Sequence, residues 1–246
     1  MSAIVTVTND FGPGSPYVAA MVGVIRGRAP DARVTVLSST VPAFDVLSGA
    51  FMLWAGTRHW PAGAVHLAVV DPGVGTARPA VALRCGGSWY VGPDNGLFGL
   101  VASETADGVE ELWVLRRPPG ASPTFEGRDV FAPAAAALAA GAPPAEVGSP
   151  AVPVVAALPG SGPRVLWVDH FGNLVTDLRA RPDAVLVGGT LVDVHARTFA
   201  DAPAATAFLY LGSMGFWEIG VREGRADRLL DARAGTGLEV LPQRRS

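Results

Sequence analysis

Two rhythms of hydrophobic spacing divide the chain. In the first half, β-branched runs at residues 3–8, 33–38 and 64–70 read as strands. The last is apolar almost throughout, as for a strand covered on both faces. Helical periods lie between them. Ser15-Pro16 offers a cap with proline at the first helical position, and Val18, Met21, Val22 and Ile25 then fall at i, i+3, i+4 and i+7. Leu47, Ala50, Phe51 and Trp54 repeat that spacing. Further strands are expected at 80–84, 89–91 and 111–115. An alanine-rich helix is expected from about Asp129 to Ala140, with Pro133 tolerated only near its start. From Gly141 to Pro163, 10 of 23 residues are Gly or Pro, which reads as a linker. Beyond it come only short strand-like runs, at 164–168, 184–187, 190–195, 207–211, 217–221 and 237–241. The predicted fold class is α/β. An N-terminal α/β sandwich with a mostly parallel sheet covers 1–150, a linker 151–162, and a small C-terminal antiparallel β-barrel 163–246.

Composition narrows the function classes. With 246 residues, 49% hydrophobic and 17% charged, the chain buries a sizeable core and is not globally disordered. A net charge of −3 gives no electrostatic case for nucleic acid or an anionic membrane as partner. No run of about 18 apolar residues offers a membrane span. The start, MSAIVTVTNDFG, lacks a basic signal-peptide region, so a soluble cytoplasmic protein is expected. All 19 basic residues are Arg, which excludes a lysine Schiff base and a P-loop lysine. Cys85 is alone, and His59, His66, His170 and His195 have no ligand spacing, so neither a disulfide nor a His- or Cys-built metal site is expected. His66, inside an apolar run, reads as packed or paired. Asn9, Asn95 and Asn173 all sit near Gly in loop-like contexts. Specific hydrogen bonding and turns needing positive φ are equally good readings of that placement.

In an open α/β sheet, ligands bind beyond the carboxyl ends of the strands. Asp10 follows the first predicted strand and Asp71 the third. The segment DPGVGTAR joins Asp71 to Arg78 across a Pro/Gly turn; at this point an ion pair that holds the loop is the plainer reading. Asp94 and Asn95 read as a turn into the next helix. Neither a G-x-S-x-G nucleophile elbow nor a G-x-G-x-x-G fingerprint is present.

Six segments, taken in order, carry a family resemblance: NDFGPGSPYVAAMVGVI, HLAVVDPGVGTAR, VGPDNGLF, TFEGRDVFAPAAAALAAG, VDHFGNLVTD and GSMGFWEIGV. Together, from about Ile4 to Gly224, they resemble the S-adenosyl-L-methionine hydroxide adenosyltransferases, relatives of the fluorinase and chlorinase. The resemblance implies an N-terminal α/β domain, a C-terminal β-barrel and a homotrimer with interfacial active sites. It also implies hydrolysis of S-adenosyl-L-methionine to adenosine and L-methionine by water attacking the ribose C5′, with no cofactor. By the same resemblance, Asp10 grips the ribose hydroxyls and Phe44 lies against the ligand. Thr124 and Phe125 line the pocket of the ribose and reacting carbon. Phe171 packs on the ligand and Asn173 meets its polar edge. Asp169 meets the methionine ammonium and Ser213 its carboxylate. Backbone groups near Val221 and Glu223 bind adenine.

The catalytic set implied is Asp71 and Arg78, with Glu126 as third member where the hydrolases carry His in TFHGRD. Glu126 is still a proton acceptor. Beside Asp71 it is either bridged through Arg78 or brings one carboxylate to a raised pKa. Gly127 stands where the fluorinase carries a halide-contacting Ser; Ser15 and Arg222 replace a common Asp and Asn. Two alternatives remain open: a halide-dependent adenosyltransferase, and a non-catalytic protein that binds adenosyl ligands.

Overall fold

The computed structural model describes residues 2–242, and the chain divides into two compact units, up to Pro159 and from Gly160. The first unit begins with β1 (Ile4–Asn9), α1 (Pro16–Arg28), β2 (Arg33–Ser38), α2 (Val46–Thr57) and β3 (Val65–Val69). It continues through β4 (Ala80–Cys85), β5 (Ser88–Pro93), α3 (Gly99–Glu104) and β6 (Val109–Leu115), then α4 (Ala132–Ala139), α5 (Pro144–Val147) and β7 (Gly148–Ala151). Its seven-stranded sheet has the order β2-β1-β3-β5-β4-β6-β7. β1 pairs in parallel with β2 and β3, and β3 with β5; β4 opposes β5, β6 opposes β4, and β7 opposes β6. Thus β1, β2, β3, β5 and β6 point one way, and β4 and β7 the other.

The helical periods bury the faces they define. Ser15 caps α1, its Oγ accepting from the Tyr17 N–H, and Met21 and Ile25 are fully buried. Each such side chain contributes about 1.5–3 kcal/mol. They pack with Val5, Val7 and Leu67 of the sheet and with Ala132, Ala135 and Ala136 of α4, where small side chains let the two helices approach closely. Pro133 stands in the first turn of α4, and a π-helical turn at Gly127–Phe131 leads into that helix.

The stretch expected to be a linker is anchored over much of its length. β7 pairs with β6 as an edge strand, a place that tolerates Pro150. Farther on, Asp94 Oδ1 accepts from the Ala156 N–H at 2.8 Å.

The second unit contains β8 (Val165–Val168), β9 (Leu174–Thr176), β10 (Ala184–Val187), β11 (Thr190–Val192), β12 (Ala207–Leu211), β13 (Trp217–Val221), a short α6 (Ala226–Leu229) and β14 (Leu238–Leu241). They form sheets ordered β11-β10-β14 and β12-β13-β9-β8. An antiparallel bridge between Arg164 and Gly237 joins β8 to β14, and a bridge between His195 and Leu209 joins the chain after β11 to β12. These two seams close the sheets into a small barrel around Val165, Leu174, Val185, Leu209 and Ile219. Closure removes the open edges that short strands otherwise expose. Among the described residues, no helix is long and apolar enough to cross a membrane.

Candidate active site

β1 and β3 are neighbours in register, with Asn9 beside Val69, but the chain leaves β1 toward β2 and reaches β5 on the other side of β3. That reversal opens a crevice beyond their carboxyl ends. Asp10 and Asp71 stand on its two sides, because each follows one of the two strands. A cavity of about 270 Å³ lies there. Asp10, Phe44, Asp71, Thr124, Phe125 and Glu126 all line it, together with Phe11, Val74 and Gly127.

Behind the cavity wall, Arg78 joins the two inner carboxylates. Its Nε donates to Asp71 Oδ1 at 2.8 Å and its Nη2 to Asp71 Oδ2, a bidentate fork. The same Nη2 donates to Glu126 Oε2 at 2.5 Å. Of the two arrangements open from the sequence, the bridged one is found. The Asp71 and Glu126 side chains are only 6% and 4% exposed, so both charges sit away from water and need this pairing. Arg117, which sequence reasoning did not single out, completes the group. Its Nε donates to Glu126 Oε1 at 2.6 Å and its Nη2 to the Arg78 carbonyl at 3.0 Å. The Arg-Arg pair after β6 was the only signal for it, and nothing in that signal named its partner.

The apolar side is an aromatic cluster. Phe11, Tyr17 and Phe125 meet edge to face, with centroids 5.0–6.1 Å apart. Only Phe125 was expected; Phe11 and Tyr17 come from the β1–α1 loop and the first turn of α1. Phe44 is held differently. Its φ is 67°, its side chain is largely exposed, and its N–H donates to Asp10 Oδ2 at 2.9 Å. A left-handed Phe costs roughly 1–3 kcal/mol, which the Asp10 hydrogen bond helps to offset. Asp10 therefore shapes the rim as well as facing the cavity. Gly127 is close-packed: a Cβ there would come within 2.9 Å of Met21 Sδ.

In the second unit, Phe171, Asn173, Val221 and Glu223 line a separate cavity of about 500 Å³ with Phe199 and Arg225. Asp169 fixes the turn, its Oδ1 accepting from the Asn173 N–H and its Oδ2 from Asn173 Nδ2 at 2.7 Å. Gly172 has φ 87°, and a Cβ there would lie 2.5 Å from Asp227 Oδ1, so only glycine fits. The turn thereby displays Phe171, 71% exposed. Ser213 is not brought to this cavity. It lies exposed in the β12–β13 turn, past Leu211 and Trp217, whereas Val221 pairs with Ala207 at the hairpin's other end.

All three Asn side chains make specific hydrogen bonds, and none has positive φ. Asn9 Oδ1 accepts from the Phe11 N–H, Asn95 ties Val70 O to the Leu97 N–H, and Asn173 holds Asp169. His66 pairs with Thr6 Oγ1 at 2.8 Å, and burial pulls its imidazole down to about 4. In the barrel, Tyr210 donates to Glu218 Oε2 at 2.5 Å; burial pushes the Glu218 carboxyl above its ordinary value.

Residues 5–148 match the model of the SAM hydroxide adenosyltransferase N-terminal domain, and residues 163–239 that of its C-terminal domain. An (R)-S-adenosyl-L-methionine hydrolase of Thermus thermophilus is 44% identical over 95% of this chain and 97% of its own. One of Salinispora arenicola is 43% identical over 96% and 97%. A fluorinase of Nocardia brasiliensis is more distant, at 26% identity over 96% of each chain. Among solved structures, a conserved hypothetical protein from Thermus thermophilus superposes with a TM-score of 0.84 at 40% identity, covering 97% of this chain and 100% of the other.

Proposed function

Because the chain belongs to the SAM hydroxide adenosyltransferase family, we propose that it hydrolyses S-adenosyl-L-methionine to adenosine and L-methionine, with Asp71, Arg78 and Glu126 placing the attacking water. The water oxygen bonds to C5′ and the C5′–S bond breaks. Its electron pair stays on sulfur as the neutral thioether, and one water proton leaves. A sulfonium is already a good leaving group, so nothing need be done at sulfur. The protein's task is to exclude solvent and align a weak nucleophile, which supplies up to roughly 7–11 kcal/mol of barrier lowering. A carboxylate beside the attacking oxygen also stabilises the positive charge developing there.

The observation that carries this reading is the Asp71–Arg78–Glu126 group at a cavity whose wall also holds Asp10. Three carboxylates face two guanidiniums there, counting Arg117. That excess of negative charge favours a sulfonium cation and a neutral water over a halide. Gly127, standing where the fluorinase carries a halide-contacting Ser, also weighs against fluoride use.

On this reading Asp10 holds the ribose hydroxyls, while Phe44, Thr124 and Phe125 enclose the sugar and its C5′. The barrel contributes Phe171, Asn173 and the backbone around Val221 and Glu223 for the base, and Asp169 and Ser213 for the amino-acid end. We propose a cytoplasmic homotrimer in which the α/β unit of one copy and the barrel of the next share each ligand. Mixing tests it. At substrate concentrations well below the wild-type KM, Asp71→Asn protein (low kcat) and Asn173→Ala protein (high KM), each poorly active alone, regain activity when co-refolded, because some sites then combine two intact halves. No regain, with mixed oligomers present, contradicts the shared site. In the same assay, a 5′-chloro-nucleoside formed only in chloride supports the halide alternative, and ligand binding without turnover supports the non-catalytic one.

A further inference from the structure

We infer that Arg117 is a positioning residue for this reaction, the group that lets a glutamate stand beside Asp71. The inference rests on the hydrolase reading and deepens it at Glu126. Two nearly buried carboxylates draw on one nitrogen, Arg78 Nη2, and a single guanidinium balances only one of them. Left so, one nearly buried carboxylate would stand without a cation of its own. Arg117 supplies the second positive charge, at 2.6 Å from the other Glu126 oxygen.

The geometry does more than balance charge. Glu126 Oε2 is fixed by Arg78 and Oε1 by Arg117, so the plane of its carboxylate is set from both ends. Arg117 also holds the carbonyl of Arg78, which ties the loop after β6 to the loop after β3. It lines a second cavity of about 290 Å³, shared with Thr76, Ser122 and Glu126. Glu126 borders both cavities, and without Arg117 it would open to water from this second side. The charged groups around Glu126 are Asp71 and Arg78 from the loop after β3, Arg117 from the loop after β6, and Asp10 on the cavity wall. On its own segment, Arg128 and Asp129 are paired with each other.

The test compares wild type, Arg117→Met and Arg117→Lys, all full length, in steady-state hydrolysis from about pH 5.5 to 9. Arg117→Met is expected to lower kcat by roughly 10–100-fold with KM within about threefold, since alignment is lost and binding is not. The acid limb of its pH–rate profile moves toward higher pH. Arg117→Lys, which keeps the charge but not the fork, recovers part of kcat and returns the acid limb toward the wild-type position. It also keeps the test readable where the Met variant fails to fold. Arg117→Met combined with Glu126→Gln costs no more than Glu126→Gln alone, because the two act as one unit. An active wild type with an unchanged kcat and profile in Arg117→Met overturns this inference alone. A wild type that binds S-adenosyl-L-methionine and releases no adenosine overturns the hydrolase reading and this inference with it.

Discussion

In the α/β unit the candidate catalytic residues are charges held out of water; in the barrel the candidate binding residues are an exposed ring and the edge of a tight turn. Asp71 and Glu126 are nearly enclosed and share Arg78, whereas Phe171 is 71% exposed and is aimed by Gly172 and Asp169 rather than buried. The contrast separates two tasks. Aligning a water molecule calls for fixed charges in a dry place, where each is worth more than in solvent. Gripping a nucleoside calls for a flat apolar surface and hydrogen-bonding groups that can wait in water. On the proposed reading, the Asp71–Arg78–Glu126 group of the α/β unit acts on kcat, and the Phe171 turn of the barrel acts on KM.

Asp71→Asn is the hardest blow to that comparison. It is expected to lower kcat by about 10²–10⁴-fold with a small change in KM, measured by chromatography of adenosine. A variant that changes only KM breaks the division of labour.

Acid sharpens the contrast in stability. Unfolded His66 takes a proton below about pH 6.5, whereas folded His66 resists it until about 4. Stability from this group is full above about 6.5 and falls as pH drops toward 4, by roughly 3 kcal/mol at the limit. Glu218 has the opposite sign. Its folded value is raised, so acid favours its folded form and that contribution fades as pH rises. Peptide-resolved hydrogen exchange at about pH 7 and 5 is expected to show protection lost around β1 and β3 before the β13 region, and His66→Gln flattens the difference. Equal loss in both regions contradicts it.

Phe171→Ala is expected to raise KM about tenfold at near-constant kcat, the loss of one base-stacking surface of ~1–3 kcal/mol. The smallest effect belongs to Phe44→Gly. Relief of its φ of 67° raises stability by about 1 kcal/mol in thermal melting, while substrate binding weakens.

Much of this arrangement was legible in the chain. Helical and alternating periods located most elements, and the ends of two strands located Asp10 and Asp71. What escaped was either too short or too distant to leave a pattern. β9 has three residues, fewer than a period needs, and β7 reads Gly-Ser-Pro-Ala, which looks like a turn and survives only as an edge strand. The Arg117–Glu126 pair is set by how the loop after β6 folds back, which no local spacing encodes. Phe11 and Tyr17 looked like loop and helix-start residues until Phe125 met them.

Hydrolysis in water labelled with heavy oxygen, followed by mass spectrometry of both products, reads out directly which bond the water makes. Attack of water at C5′ puts one heavy oxygen in adenosine, at the 5′ hydroxyl, none in methionine, and gives equal amounts of the two. Unlabelled adenosine, or label carried into methionine, would contradict attack of water at C5′.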